Sequence, residues 1–275
     1  MAEKLGIIAG GGTLPKQLID YCRKEGRPYS LVCLKDFTLP ETSEGQECCW
    51  CRLGEGGKAV AYFKKAGVHQ IVMIGGVRRP SLLQLRPDWW TTKFLIKIGF
   101  KAFGDDNLLK LLIKGFEAEG FQIIGIHEVM ADLLADEGVW GNVEPDEQAW
   151  ADIKHGIKIA LGLGALDVGQ SVVVQQGIVL GVEAVEGTDA LINRCKDLKR
   201  EGVGGVLVKT KKPQQEKRAD LPTIGVQTVV NVCDAGLRGI AIQSGNALVA
   251  DRPAVIAKAN ELGIFIVGVK CDDAG

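Results

Sequence analysis

The stretch Leu5-Gly6-Ile7-Ile8-Ala9-Gly10-Gly11-Gly12-Thr13-Leu14-Pro15 decides the fold of the first half of this 275-residue chain. Five apolar or small residues suit a buried strand. The glycines then allow a tight turn, and Pro15 suits the first turn of a helix. Strand, glycine turn and helix together present backbone N–H groups where a phosphate could bind. The pattern is neither the spaced G-x-G-x-x-G of dinucleotide sites nor a Walker A loop. A plain tight turn explains the three glycines equally well.

Working outward, the same alternation continues. Strands are predicted at Leu5–Ala9, Tyr29–Leu34, Gln70–Ile74 and 121–126, and helices at Leu14–Lys24, 58–66 and 108–119. Strands alternating with helices predict a parallel sheet, here a Rossmann-like domain over 1–135. A second glycine turn, Gly75-Gly76-Val77, follows its own strand. Ligands of open α/β sheets gather at the carboxyl ends of strands, so Gly11, Gly12, Thr13, Gly75 and Gly76 are candidate substrate contacts. Asp105 and Asp106 open a strongly periodic helix. They read either as helix-start acids or as contacts to a nucleoside.

Residues 136–146 have the glycine, proline and acid content of a linker. Beyond it, 147–275 predicts a mixed α+β domain. A helix over 146–161 leads to Ser171–Gln175 and Ile178–Val182, which flank a Gln176-Gly177 hairpin turn. A helix at 189–200 and a strand at 205–209 come next. Gly239–Gln243 and 247–249 read as a second hairpin, followed by a helix at 254–262 and a strand at 264–269.

Composition narrows the function. A net charge of −1 argues against a nucleic-acid partner, and 46% hydrophobic with 24% charged residues is ordinary for a globular protein. No secretory leader or spanning segment is evident, so a cytoplasmic protein is expected. Eight cysteines fit a reducing compartment. Cys48, Cys49 and Cys51 cluster, but a structural zinc site would need a second Cys/His couple, and none follows. No His-rich motif or G-x-S-x-G elbow is present.

Chemistry concentrates in the second half. Asp167-Val168-Gly169-Gln170-Ser171 is followed by Glu183-Ala184-Val185-Glu186-Gly187-Thr188-Asp189. A helix cap accounts for Thr188 and Asp189 but not for Glu183 and Glu186, and grouped carboxylates suit a hard cation. Lys209-Thr210-Lys211-Lys212 then leads to Arg218-Ala219-Asp220-Leu221-Pro222-Thr223-Ile224-Gly225. A solvated loop would explain the lysine run. Cations beside carboxylates are also what phosphoryl chemistry uses.

In this order the motifs resemble the LpxI-type UDP-2,3-diacylglucosamine pyrophosphatases of lipid A biosynthesis, over nearly the whole chain. The resemblance implies Mg²⁺- (or Mn²⁺-) assisted hydrolysis to UMP and 2,3-diacylglucosamine 1-phosphate, with substrate held between two domains. It places the essential aspartate on Asp220. The family has Gly-Gln-Asp after the proline where this chain has Gln214-Gln215-Glu216, an acid one methylene longer. On this basis Asp220, Lys209 and Arg218 are the expected catalytic residues, and Asp220, Asp189, Glu186 and Glu183 the expected metal ligands. Asp167, Gln170, Thr188, Lys212 and Thr223 join the glycine loops, Asp105 and Asp106 as expected substrate contacts. The partners implied are the UDP-linked diacylglucosamine, the inner-membrane surface in passing, and a second copy of the chain as a homodimer.

The apolar stretch Trp89, Trp90, Phe94, Leu95, Ile96, Ile98 and Phe100, broken by Lys93 and Lys97, reads either as a core helix or as a lipid-facing surface. A Rossmann-type nucleotide-sugar oxidoreductase and a non-catalytic lipid or nucleotide-binding regulator are the rival readings. The first lacks its glycine fingerprint and a Tyr-x-x-x-Lys pair. The second leaves the acid and base residues idle.

Overall fold

A computed structural model describes residues 3–77, 86–98 and 105–271. It divides into two compact units. The first comprises Met1–Ala131 together with Glu216–Asp220, and the second comprises Asp132–Gln215 and Leu221–Gly275.

The first unit runs β1 (Leu5–Ala9), α1 (Leu14–Lys24), β2 (Tyr29–Leu34), α2 (Pro40–Ser43), β3 (Cys48–Cys51), α3 (Gly56–Lys65), β4 (Gln70–Ile74), α4 (Trp89–Ile98), α5 (Asp105–Ala118), β5 (Gln122–Ile123) and α6 (Ile126–Val129). Its five strands are all parallel, in the order β3-β2-β1-β4-β5. The chain winds outward from β1 in one direction and from β4 in the other. The carboxyl ends of β1 and β4 therefore form the switch point at which such sheets bind ligands. Val60 and Phe63 of α3 and Ile113 and Phe116 of α5 pack with Val32, Ile71 and Met73 of the sheet.

The cysteine cluster is the edge strand β3. The Cys49 and Cys51 sulfurs lie 3.8 Å apart on one face, and burial pushes the Cys51 thiol up to about 12. Among the described residues, no three His, Cys, Asp or Glu side chains are grouped so as to hold a metal.

In the second unit the order is β6 (Gly138–Trp140), α7 (Glu147–Ala165), β7 (Ser171–Gln175), β8 (Ile178–Val182), α8 (Thr188–Cys195), β9 (Val206–Lys209), β10 (Thr223–Ile224), α9 (Val226–Asp234), β11 (Gly239–Gln243), β12 (Leu248–Val249), α10 (Arg252–Leu262) and β13 (Phe265–Val269). Six strands form a mixed sheet in the order β6-β13-β11-β9-β7-β8, with β13, β11 and β9 parallel. Strand alternation sorts the two faces. Val206 and Val208 pack with Ala149 and Ile153 of α7, while Leu207 turns to the side of Leu191, Val229 and Val255 from α8, α9 and α10. The sheet is thus covered on both faces, the arrangement that continuous apolar runs require.

Three sequence expectations change. Residues 136–146 supply β6, which pairs antiparallel with β13 and buries Trp140. Gly239–Gln243 is the central strand β11, lying between β9 and β13, while β12 pairs with β10, so the second hairpin does not form. The apolar run at 239–243 is buried on both faces, which a hairpin arm with one solvated face would not be. The helix α9 has no counterpart in the sequence reading. Its Val229, Val230 and Val232 favour strand, and packing in the core overrides that preference.

The β7–β8 hairpin forms as expected, with Gln176 and Gly177 both at positive φ, 52° and 77°. It is tied down by Asp152 of α7. That carboxylate is fully buried and accepts from the backbone N–H groups of Gln176 and Gly177 at 2.9 and 2.7 Å, and from Gln148 Nε2 at 3.1 Å. Asp152→Ala removes the acceptor of two turn N–H groups and is expected to cost about 1–3 kcal/mol in urea unfolding. A loss below about 0.5 kcal/mol would show that the turn holds itself.

Candidate active site

The carboxyl ends of β8 and β9 and the start of β7 share one edge of the second sheet, because β7 runs antiparallel to both. Buried polar residues gather there. Ser171, Glu183, Lys209, Thr210, Gln215 and Gln243 are all buried. Charged and amide side chains are rarely buried unless they are bonded or functional.

Their wiring centres on Thr188, the first residue of α8. Its hydroxyl donates to Glu183 Oε1 at 2.9 Å and accepts from Lys209 Nζ at 2.8 Å. The Ser171 hydroxyl lies 3.3 Å away. A hydroxyl has one donor and two acceptor sites, and all three are engaged here. Thr188 therefore links a buried ammonium to a buried carboxylate.

The backbone holds these groups close. The Glu183 N–H donates to Ser171 O at 2.8 Å, and the Thr210 N–H to Gln170 O at 2.9 Å. Gly169 makes the fit possible, since a Cβ there would collide with the Glu183 carbonyl. Beside it, Asp167 adopts φ 58° and pairs with Lys212 Nζ at 2.7 Å. The Lys211 N–H bonds Gln243 Oε1, and the Lys212 N–H bonds Gln215 Oε1. Two buried polar atoms at this edge, Gln170 Oε1 and Thr210 Oγ1, have no hydrogen-bond partner among the described residues. Such orphans fit a site that a polar ligand completes.

The remaining expected residues have separate surroundings. Exposed Glu186 accepts from Arg194 at 3.1 Å and from the Ala184 N–H at 3.0 Å, and Asp189 accepts from Asn231 Nδ2 at 3.0 Å. Thr223 lies in β10 and donates to Leu221 O at 3.1 Å.

In the first unit, the two glycine loops bond to one another. The Gly11 N–H donates to Gly76 O at 2.8 Å, and the Gly76 N–H returns to Gly11 O at 3.0 Å. A Cβ at Gly10 would lie 2.7 Å from Gly75 O, and one at Gly75 2.5 Å from Gly11 O. Close backbone approach thus explains these glycines, and the N–H groups of Gly11 and Gly76 are already used. Gly12, at φ 84°, and Thr13 remain exposed at the entrance to α1. Asp105 and Asp106 open α5, but their side chains lie outside the described residues.

Arg218 grips Glu216 through Nε and Nη2 at 2.9 and 3.0 Å, and reaches Glu117 through Nη1 at 2.7 Å. Its guanidinium is therefore committed to two carboxylates, which gives it a positioning role in the 216–220 turn. Asp220 closes that turn, its N–H donating to Glu216 O at 2.9 Å.

One charge state follows from this geometry. The hydrogen bonds from Arg218 hold the Glu216 carboxyl below the usual glutamate range, against the opposing effect of burial. A depressed folded-state value means the pair stabilises above the ordinary glutamate range, near about pH 4.3, and loses that contribution as pH falls through the folded value. Glu216→Gln is expected to flatten the decline of thermal stability between about pH 5 and 3; an unchanged decline contradicts the assignment. Separately, Thr188→Val removes the hydroxyl between Lys209 and Glu183. It is expected to lower turnover by about tenfold or more, with the circular dichroism of the wild type; unaltered turnover would make the linkage incidental.

Fold and edge together define a two-unit α/β protein with a phosphoryl-type constellation of buried lysine, hydroxyl and carboxylate. Residues 4–133 match the model of the LpxI N-terminal domain, and residues 136–267 that of the LpxI C-terminal domain. The chain is 42% identical over 276 aligned residues to the UDP-2,3-diacylglucosamine pyrophosphatase LpxI of Caulobacter vibrioides, covering 97% of this chain and 98% of that protein. This chain belongs to the LpxI family and is a hydrolase. A solved precorrin-6A reductase, CobK, shares 10% identity at a TM-score of 0.32, covering 98% of this chain and 88% of that one.

Proposed function

We propose that this chain hydrolyses the pyrophosphate bond of UDP-2,3-diacylglucosamine, releasing UMP and 2,3-diacylglucosamine 1-phosphate. The carrying observation is the end-to-end match to a curated pyrophosphatase of that name. The buried edge supports it, since Lys209 supplies positive charge and Glu183 a carboxylate in one hydrogen-bonded unit. Water adds its oxygen to one phosphorus, the bond from that phosphorus to the bridging oxygen breaks, and the bridging oxygen leaves with the other phosphate.

Each group then has a task. Lys209, buried and oriented by Thr188, stabilises negative charge that grows on phosphoryl oxygens in the transition state. Gln170 Oε1 and Thr210 Oγ1 offer hydrogen bonds to bound substrate. Exposed Gly12 and Thr13 offer backbone N–H groups at a helix start, which suits a phosphate.

Magnesium fits this donor set. Mg²⁺ commonly takes one or two carboxylates, with substrate phosphates and water completing its shell, so a three-carboxylate cage is not required. Within the second unit, Glu183 is the carboxylate we assign to it. Glu186 and Asp189 are held by Arg194 and Asn231. When bound, the ion supplies charge neutralisation to the diphosphate.

Purified protein with UDP-2,3-diacylglucosamine is expected to release UMP with Mg²⁺ and to stop in excess EDTA. Asp220→Ala is expected to fold normally and to lose at least about a hundredfold in turnover. Equal rates with Mg²⁺ and EDTA would remove the metal. Absence of UMP under both conditions would remove the reaction.

A further inference from the structure

The helix α4 has two faces of different character. One is fixed into the first unit. Asp88 caps the helix by accepting from the Thr91 N–H at 2.8 Å, and its second oxygen accepts from the Gly57 N–H at 2.8 Å. Trp90 stacks on Phe94 with ring centroids 5.4 Å apart, and its indole N–H reaches Glu119 at 2.8 Å. The aromatic stretch therefore contributes a core face, as one of its two sequence readings predicts.

The other face is a stripe of Trp89, Lys93 and Ile96, spaced at i, i+4 and i+7. Trp89 is 73% and Ile96 75% exposed, and the Lys93 ammonium sits 5.0 Å over the Trp89 ring. Of the two tryptophans among the exposed large hydrophobic residues described, Trp89 is the more exposed, at 73% against 43% for Trp150. Among the described residues nothing in the packing of α4 explains it, because Trp90 and Phe94 already fill the inner face.

We propose that this stripe docks the protein on a lipid bilayer bearing anionic headgroups. The proposal rests on the pyrophosphatase reading, which makes the substrate a diacylated lipid drawn from a bilayer. Three features select this occupant. The helix sequence Trp89–Ile98 holds two lysines and no acid, and exposed Arg86 precedes it, so the charge matches an anionic surface. An indole beside an ammonium is the pairing that settles at the headgroup boundary, the ring inward and the charge among phosphates. The area is also small: one Trp and one Ile on a single helix offer a few hundred Å² at most, well short of the roughly 800 Å² per partner of a stable protein interface. A bilayer needs no such area, since affinity adds up from a few inserted side chains and basic residues.

The test uses the full chain with phosphatidylglycerol–phosphatidylethanolamine vesicles, and with phosphatidylcholine vesicles for comparison. Wild-type protein is expected to sediment with the first and far less with the second. Trp89→Glu/Ile96→Glu is expected to lower the bound fraction at least tenfold, and Lys93→Glu to weaken binding only to the anionic vesicles. Turnover of substrate dispersed in detergent is expected to stay within twofold of wild type for both variants, while turnover of vesicle-borne substrate falls. Equal sedimentation of wild type and the double variant overturns the proposal. So does a wild-type dimer that the double variant dissociates, which would assign the stripe to a second copy. If wild type binds vesicles through the stripe but hydrolyses nothing in detergent, docking stands and the pyrophosphatase reading fails.

Discussion

The second unit depends on keeping an ammonium and a carboxylate buried at a sheet edge, joined through one threonine hydroxyl. Burying either charge alone would be costly, and replacing a buried pair with apolar side chains is often neutral or stabilising. A folding argument therefore gives little reason for Lys209, Thr188 and Glu183 to sit where they do. A chemical argument gives one. A lysine already oriented, with water largely excluded, needs little reorganisation as charge develops on phosphate oxygens.

The scaffold around these three residues follows from that requirement. An antiparallel β7 brings the start of one strand beside the ends of two others, placing Ser171, Glu183 and Lys209 together. Gly169 admits the Glu183 backbone at a distance no side chain would allow. Asp152 anchors the far turn of the same hairpin from α7, so both ends of β7 and β8 are held. In the first unit the chain returns at Glu216–Asp220, where Arg218 ties the turn to Glu117 of α5.

Much of the scaffold was legible in sequence because its signals are local. The apolar runs of β1, β2 and β4 and the glycine turns gave the parallel first sheet, and Gln176-Gly177 marked its hairpin to the residue. What escaped depends on partners remote in sequence. Gly239–Gln243 has the composition of either a hairpin arm or a central strand, and only its neighbours β9 and β13 decide. Cys48–Cys51 was set aside as a zinc site but not read as a strand, because strand pairing at an edge leaves no mark beyond composition. The site was read in part for the same reason. Glu183, Thr188 and Lys209 stood out as polar residues at strand ends, but Ser171, Thr210, Gln215 and Gln243 did not, since burial is what distinguishes them. Arg218 was expected to be catalytic; its two carboxylate partners include Glu117, far away in sequence.

The most direct test of this account is the steady-state kinetics of Lys209→Gln on detergent-dispersed UDP-2,3-diacylglucosamine with Mg²⁺. Glutamine removes the charge and keeps an amide donor on a side chain one atom shorter. The account predicts kcat lower by about a hundredfold or more and KM within a few fold of wild type, in a protein that remains folded by circular dichroism but melts at a lower temperature. A variant with wild-type kcat would contradict it, leaving the buried ammonium without a part in the chemistry.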